Sequence, residues 1–292
     1  MKTLTKLLLV AMLLLLPCVQ AEASAKTWVN VSQAFKTTEL KDFKTAEGMC
    51  VDPKDNAIYT IQKKSGEETC ALFKNGVQVK KAFNGKDTTT VIGHGNDITY
   101  YNNHLYIADY STAKVHRMKR SGSAYVYEKT YTLPGYSRVW NIETYKRTKI
   151  NGDEKQLFIL GTGPVNNNKT KLKFVIAWFD NTSNNFHEVG SFVVDNPNSN
   201  VLQGIAYNQE TGWLHIGLST ATQGKNNIVS IKVTHVSGSK TYSTGDQVIR
   251  TYNGPDNNKY EIESIGIATD GKFYVLVNCT GCQDPVYHIK TQ

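Results

Sequence analysis

Five times along the chain a short apolar strand is opened by a residue set apart from it, a turn follows, and a second strand of aromatic and aliphatic residues returns. The pairs run from Glu47-Gly-Met-Cys-Val to Ala57-Ile-Tyr-Thr-Ile, Asn96-Asp-Ile-Thr-Tyr to His104-Leu-Tyr-Ile-Ala, and Trp140-Asn-Ile-Glu-Thr to Gln156-Leu-Phe-Ile-Leu. Two more run from Gln203-Gly-Ile-Ala-Tyr to Trp213-Leu-His-Ile-Gly and from Glu263-Ser-Ile-Gly-Ile to Lys272-Phe-Tyr-Val-Leu. Their starts lie 49, 44, 63 and 60 residues apart, close to the length of a small antiparallel sheet repeated as a propeller blade. The linkers, such as Asp52-Pro-Lys-Asp-Asn56, Tyr101-Asn-Asn103 and Asn208-Gln-Glu-Thr-Gly212, are rich in residues that tolerate positive φ or bond their own backbone. Each pair therefore reads as a hairpin.

Further strand-like runs follow the hairpins: Cys70 to Phe73 and Val77 to Phe83, Lys114 to Met118 and Tyr125 to Leu133, Leu172 to Phe179 and Phe186 to Val194, Ile228 to Val236 and Gln247 to Tyr252. The fifth unit has only Pro285 to Lys290, and Thr27 to Phe35, ahead of the first unit, has the character of the missing outer strand. The pattern predicts an all-β chain folded as a five-bladed β-propeller, closed by an N-terminal strand that completes the last blade. Such closure removes the exposed sheet edges of an open array. A β-sandwich shares the short strands and turns but does not explain the repeated polar start.

Lys2 and Lys6, the apolar run Leu7 to Leu16, and Val19-Gln-Ala21 or Ala23-Ser-Ala25 form the three parts of a secretory signal peptide over residues 1–25, cleaved after Ala21 or Ala25. The rest, 26–292, reads as one propeller domain of a secreted protein. The apolar run is shorter than the roughly 18 residues of a spanning helix, so no membrane span is expected. Pro17 ahead of Cys18 argues against a lipid anchor. Cys50, Cys70, Cys279 and Cys282 survive cleavage, an even number in an oxidising compartment, and disulfides are expected. The pairing stays open, with cross-blade bridges from Cys50 or Cys70 to Cys279 or Cys282 among the possibilities.

The formal charge of +8 falls to +6 when cleavage after Ala21 removes Lys2 and Lys6. That excess favours an anionic surface polymer, or is simply a solvated basic exterior. The lysines are scattered and no nucleic-acid-binding motif is present, so nucleic acid is not expected as a partner.

In a propeller the first strand of each blade lines the central channel, which brings Glu47, Asn96, Trp140, Gln203 and Glu263 to one mouth. Glu47, Asn96 and Glu263 are oxygen donors of the kind that hold Ca²⁺, and paired carboxylates also serve as acid and base. The plainer reading is a wet channel mouth. Gly93-His-Gly-Asn-Asp97 is the densest polar cluster: His94 with Asp97 forms a candidate general base, and a structural turn capped by Asp97 explains the same residues. Tyr110 and Trp140 add aromatic faces that suit sugar rings.

Val201-Leu-Gln-Gly-Ile with Trp213-Leu-His-Ile, Glu261-Ile-Glu-Ser-Ile with Phe273-Tyr-Val, and His94-Gly-Asn-Asp-Ile-Thr-Tyr resemble segments of the helveticin J family. The resemblance implies a bacteriolysin-like or bacteriocin-like protein acting at a bacterial cell envelope, and it assigns no catalytic residue. Glu47, Asn96 and Glu263 also match in type the metal ligands of the gluconolactonase and paraoxonase propellers, which have six blades. The leading expectation is a monomeric secreted propeller that binds cell-wall polysaccharide or a related glycopolymer. The alternative is a Ca²⁺-assisted hydrolase or lyase working at the channel mouth. A protein-interaction platform is a third possibility.

Overall fold

The computed structural model describes residues 28–36, 43–64, 66–122, 124–220, 226–253, 260–279 and 285–291. The expected signal peptide, its cleavage sites and Cys282 lie outside the described residues. Apart from a 3₁₀ turn at Thr244–Asp246, every regular element among them is a β-strand. No described helix is long and apolar enough to cross a membrane.

The strands follow one another as β1 (Trp28–Lys36), β2 (Phe43–Val51), β3 (Ile58–Lys64), β4 (Cys70–Lys74), β5 (Val77–Gln78), β6 (Thr88–Thr89), β7 (Asp97–Tyr101) and β8 (His104–Asp109). The middle of the chain gives β9 (Lys114–Ser121), β10 (Ala124–Thr132), β11 (Asn141–Ile150), β12 (Asp153–Val165), β13 (Asn168–Asp180) and β14 (Asn185–Asp195). The rest are β15 (Val201–Tyr207), β16 (Trp213–Ser219), β17 (Asn226–Lys232), β18 (Gly238–Tyr242), β19 (Gln247–Asn253), β20 (Tyr260–Ile267), β21 (Phe273–Cys279) and β22 (Pro285–Thr291).

Hydrogen bonding orders them as antiparallel groups: β2-β3-β4-β5, β7-β8-β9-β10, β11-β12-β13-β14, β15-β16-β17-β19 and β20-β21-β22-β1. β1 pairs with β22 from Trp28 opposite Thr291 to Lys36 opposite Pro285. Parallel bridges between β1 and β19 and between β10 and β14 tie outer edges of neighbouring groups together. The inner strands touch in a cycle, β2 to β7, β7 to β11, β11 to β15, β15 to β20, and β20 back to β2.

Apolar clusters fill the spaces between successive groups. Leu72 packs with Leu105 and Met118, Ile142 with Tyr106 and Val115, and Ile159 with Ile205 and Ile216. Ile228 packs with Ile262 and Val275, and Met49 and Ile58 pack with Leu276 and Val286, so the last group shares a core with the first. Burying these faces on both sides of each sheet is the main stabilising contribution. The asparagine-rich loops follow from backbone conformation. Asn56, Asn102, Asn103, Asn151, Asn166 and Asn167 all take φ between 48° and 63°, a region that asparagine tolerates better than most residues.

Two expectations need correction, and one strand adds to the pattern. The outer strand of the first group is not the continuous Val77 to Phe83 run: only Val77–Gln78 and Thr88–Thr89 pair with β4. β18, unforeseen, adds in parallel to β14 through Gly190 opposite Gly238, a contact that leaves no room for a side chain at Gly190. Cys50 and Cys70 are free thiols rather than halves of a disulfide, both buried. Cys70 instead donates weakly to the Gly93 carbonyl at 3.4 Å, and burial pushes both thiols upward, away from the reactive thiolate.

Candidate channel-mouth site

The inner strands are not regular. Register slips between Ala46 and Gly48 in β2, between Leu202 and Ile205 in β15, and between Ile262 and Ser264 in β20. A bulge inserts an unpaired residue and re-aims its side chain. The residues in those slips include Glu47, Gln203 and Glu263. Asn96 and Trp140 stand immediately before β7 and β11. All five predicted ring residues line one cavity of about 410 Å³, together with His94, Tyr110 and Lys63.

The His94 loop is built for its place. Gly93 has φ of +54°, and a Cβ there would sit 2.4 Å from the Asp109 carboxylate, so only glycine fits. Asp109 accepts from the backbone N–H groups of His94 at 3.4 Å and Ser111 at 3.0 Å and from the Thr112 hydroxyl at 2.7 Å. Burial opposes ionisation of Asp109, but His116 and these donors outweigh it and hold its carboxyl below the usual range.

His94 does not pair with Asp97. Its Nε2 lies 3.2 Å from Glu47 Oε2, and its Nδ1 lies 2.8 Å from the Lys63 ammonium and 3.5 Å from Glu68 Oε2. In the neutral ring Lys63 donates to Nδ1 and the Nε2–H donates to Glu47. Burial opposes charge on His94, yet the hydrogen bond and negative charge of Glu47 outweigh it and raise the imidazole above its ordinary value. A raised folded value means that this stabilisation is complete below the unfolded pKa and is lost as pH climbs through the folded one. An NMR titration should place the His94 midpoint above about 6.5, and Glu47→Gln should lower it. An unmoved midpoint would show that Glu47 does not hold the ring.

Asp97, the other candidate base, is absent from the cavity and fully buried. Its Oδ1 accepts from the Ile98 N–H at 3.0 Å and the Ser264 hydroxyl at 3.3 Å. Its Oδ2 accepts from the Asn141 amide at 3.2 Å and the Ile142 N–H at 3.4 Å. Asp97 is thus a tie between β7, β11 and β20. The capping role is the closer reading, although apart from the Ile98 N–H the groups Asp97 caps come from distant strands.

The aromatic wall is continuous. His94 and Tyr110 rings lie 5.1 Å apart, Tyr110 and Trp140 lie 4.9 Å apart, and the Arg138 guanidinium covers Tyr110 at 5.2 Å. Gln203 donates to Ser219 at 2.9 Å and to Glu261 at 3.2 Å, which fixes its amide at the opposite side. The Asn96 amide donates to the Trp140 carbonyl at 2.8 Å. Lys63 and Glu261 were missed in the sequence because nothing local marks a lysine near the end of a second strand, or a glutamate two residues from a ring member, as site residues.

Among the described residues no group of three or more His, Cys, Asp and Glu side chains is placed to hold a metal ion. Glu47 already bonds His94, and Asn96 turns its amide nitrogen to the backbone. The Glu47, Asn96 and Glu263 set therefore does not fit a ready Ca²⁺ shell, which needs six or more oxygen ligands.

No family profile matches the chain, and no curated protein sequence matches it. Among solved structures, a glutaminyl cyclase from Myxococcus xanthus superposes with a TM-score of 0.51 at 10% identity, over 91% of this chain and 98% of that one. The fold is a β-propeller. A PQQ-bound aldose sugar dehydrogenase from Streptomyces coelicolor gives 0.47 at 10% identity, over 91% and 98%. The Dos1 propeller gives 0.42 at 12% identity, over 90% of this chain and 64% of that one. At 10% identity the likeness to the glutaminyl cyclase shows the fold alone.

Proposed function

We propose that the chain is a secreted five-bladed propeller, closed by β1 as the outer strand of the last blade, that binds glycopolymers of a bacterial cell envelope at its channel mouth. The resemblance to the helveticin J family supports a bacteriolysin-like role for that binding. The observation that carries the reading is the convergence of Glu47, Asn96, Trp140, Gln203 and Glu263 with Tyr110 on one cavity. Such a mouth offers a sugar what it needs. Trp140 and Tyr110 provide ring faces for the apolar face of a pyranose, while amides and carboxylates bond its hydroxyls. The basic excess of the chain draws an anionic polymer from a distance and weakens with salt.

Trp140→Ala should reduce retention on purified cell-wall polysaccharide by tenfold or more while leaving the thermal midpoint within a few degrees. Undiminished retention would remove the mouth from the binding surface. A second reading, hydrolase or lyase chemistry at the same mouth, is favoured by the Glu47 to His94 hydrogen bond, which orients an imidazole into the cavity as an acid or base. Product release from cell-wall fragments, abolished by His94→Gln, would establish it. A midpoint raised by Ca²⁺ and reversed by EDTA would restore a metal to that reading.

A further inference from the structure

A second, larger cavity of about 650 Å³ opens at the other end of the channel, where the same inner strands finish. Its wall is apolar and aromatic, with Met49 and Ile265 beside Tyr100, Tyr101, Tyr145 and Tyr207. Two carboxyl groups line it, the exposed Glu210 and the part-buried Glu143 on β11. The Glu143 Oε1 accepts from the Thr99 hydroxyl at 2.7 Å, the Thr144 N–H at 2.6 Å and the Thr144 hydroxyl at 2.9 Å. Those donors come from two inner strands and fix the carboxyl in place.

Among the described residues no lysine, arginine or histidine pairs with Glu143. The titratable groups that face it are acids or neutral, Asp97 from β7 and the Cys50 thiol from β2, while β15 adds the Tyr207 N–H as a further donor. At the rim Arg147 and Glu210 carry opposite charges. Arg147 is already engaged, donating to the Tyr101 hydroxyl at 2.8 Å with its guanidinium 6.0 Å from that ring. The interior is therefore an acid-bearing, tyrosine-lined hollow in which Glu143 has no paired cation among the described residues. Burial pushes the Glu143 carboxyl up to about 7 against the pull of its hydrogen bonds, so a cation arriving there would be met by a group that ionises readily in response.

We propose that this second cavity is a binding site for an organic ammonium ligand, its charged head against Glu143 and its apolar body against the tyrosine rings. Aromatic faces attract ammonium groups, most strongly when water is excluded, and the volume matches a small-molecule site. A divalent metal ion is the poorer occupant, because it requires several oxygen ligands and Glu210, the second carboxylate lining the cavity, is exposed. The proposal is independent of the glycopolymer reading, which concerns the other mouth.

The test is calorimetric titration of the intact chain with benzyltrimethylammonium, with benzyl alcohol as the neutral analogue and with Ca²⁺. The ammonium should bind, and about tenfold more tightly at about pH 8 than at about pH 6, since Glu143 ionises between them. Benzyl alcohol should bind at least tenfold more weakly. Glu143→Gln keeps an acceptor for Thr99 and should lose ammonium binding by tenfold or more. Tyr101→Leu, at the rim and not dependent on tolerance of the Glu143 substitution, should weaken it severalfold. Trp140→Ala should leave it unchanged. Absence of binding, equal affinity for benzyl alcohol, full affinity in Glu143→Gln, or saturable Ca²⁺ binding in place of the ammonium would each overturn the proposal.

Discussion

Asp97→Ala is expected to destabilise the fold by about 3–5 kcal/mol, the scale for removing a buried group and orphaning its partners. The Ser264 hydroxyl, the Asn141 amide and the N–H groups of Ile98 and Ile142 all lose their acceptor at once. Burial, and then the charge of Glu143, push the Asp97 carboxyl well above the ordinary aspartate range despite those donors. A raised folded value for an acid means stability present below the unfolded pKa and lost as pH rises through the folded one. Asp97→Asn, which keeps an acceptor and carries no charge, should cost less than about 1.5 kcal/mol and should flatten that pH dependence. Urea unfolding across a pH series measures both. A native-like midpoint for Asp97→Ala would remove Asp97 from the centre of the fold and reopen a catalytic role for it.

Gly204→Ala is the second large effect, at about 3 kcal/mol. Gly204 stands in the bulge of β15, where a Cβ would lie 2.5 Å from Ser264 Cα and 2.8 Å from the Ile265 nitrogen. Backbone atoms cannot rotate aside, so the whole of β20 has to retreat. The displacement should also weaken the proposed glycopolymer binding, since Gln203 and Glu263 flank the clash on the two strands. Gly245→Ala serves as the control: its Cβ would meet only the Ser243 hydroxyl, at 3.7 Å, and should change stability by less than about 0.5 kcal/mol. Equal midpoints for the two variants would show that β15 and β20 do not approach as closely as described.

The channel mouth was largely legible before its geometry was known. Glu47, Asn96, Trp140, Gln203 and Glu263 occupy equivalent places in five similar segments, and equivalence along the chain became proximity once each segment supplied an inner strand. Tyr110 and His94 followed because they border those segments. What misled was adjacency: His94 and Asp97 are three residues apart, yet a side chain on the first residue of a strand and one in the preceding loop point to different depths. Asp97 turns into the channel toward Ser264, 167 residues away in the chain. Glu143 escaped notice because a glutamate near the start of an inner strand looks like an ordinary solvent-facing alternation until the neighbouring strands partly enclose it.

By itself, then, the amino-acid sequence determined the local and the periodic features of this protein. Alternation of apolar and polar residues specifies strands, asparagine and glycine specify turns, and a recurring unit specifies a sheet stacked against its like, because these depend on neighbours within a few residues. Only the tertiary structure decided which side chains became partners. The Glu47 to His94 pair, the burial of Asp97, the partial enclosure of Glu143, the free thiols of Cys50 and Cys70 and the parallel docking of β18 all depend on how strands far apart in the chain are set against each other. Bulges at Glu47, Gln203 and Glu263 then turned individual residues out of the alternation. A one-residue slip changes which face a side chain occupies, and no pattern read along a single strand records where that slip occurs.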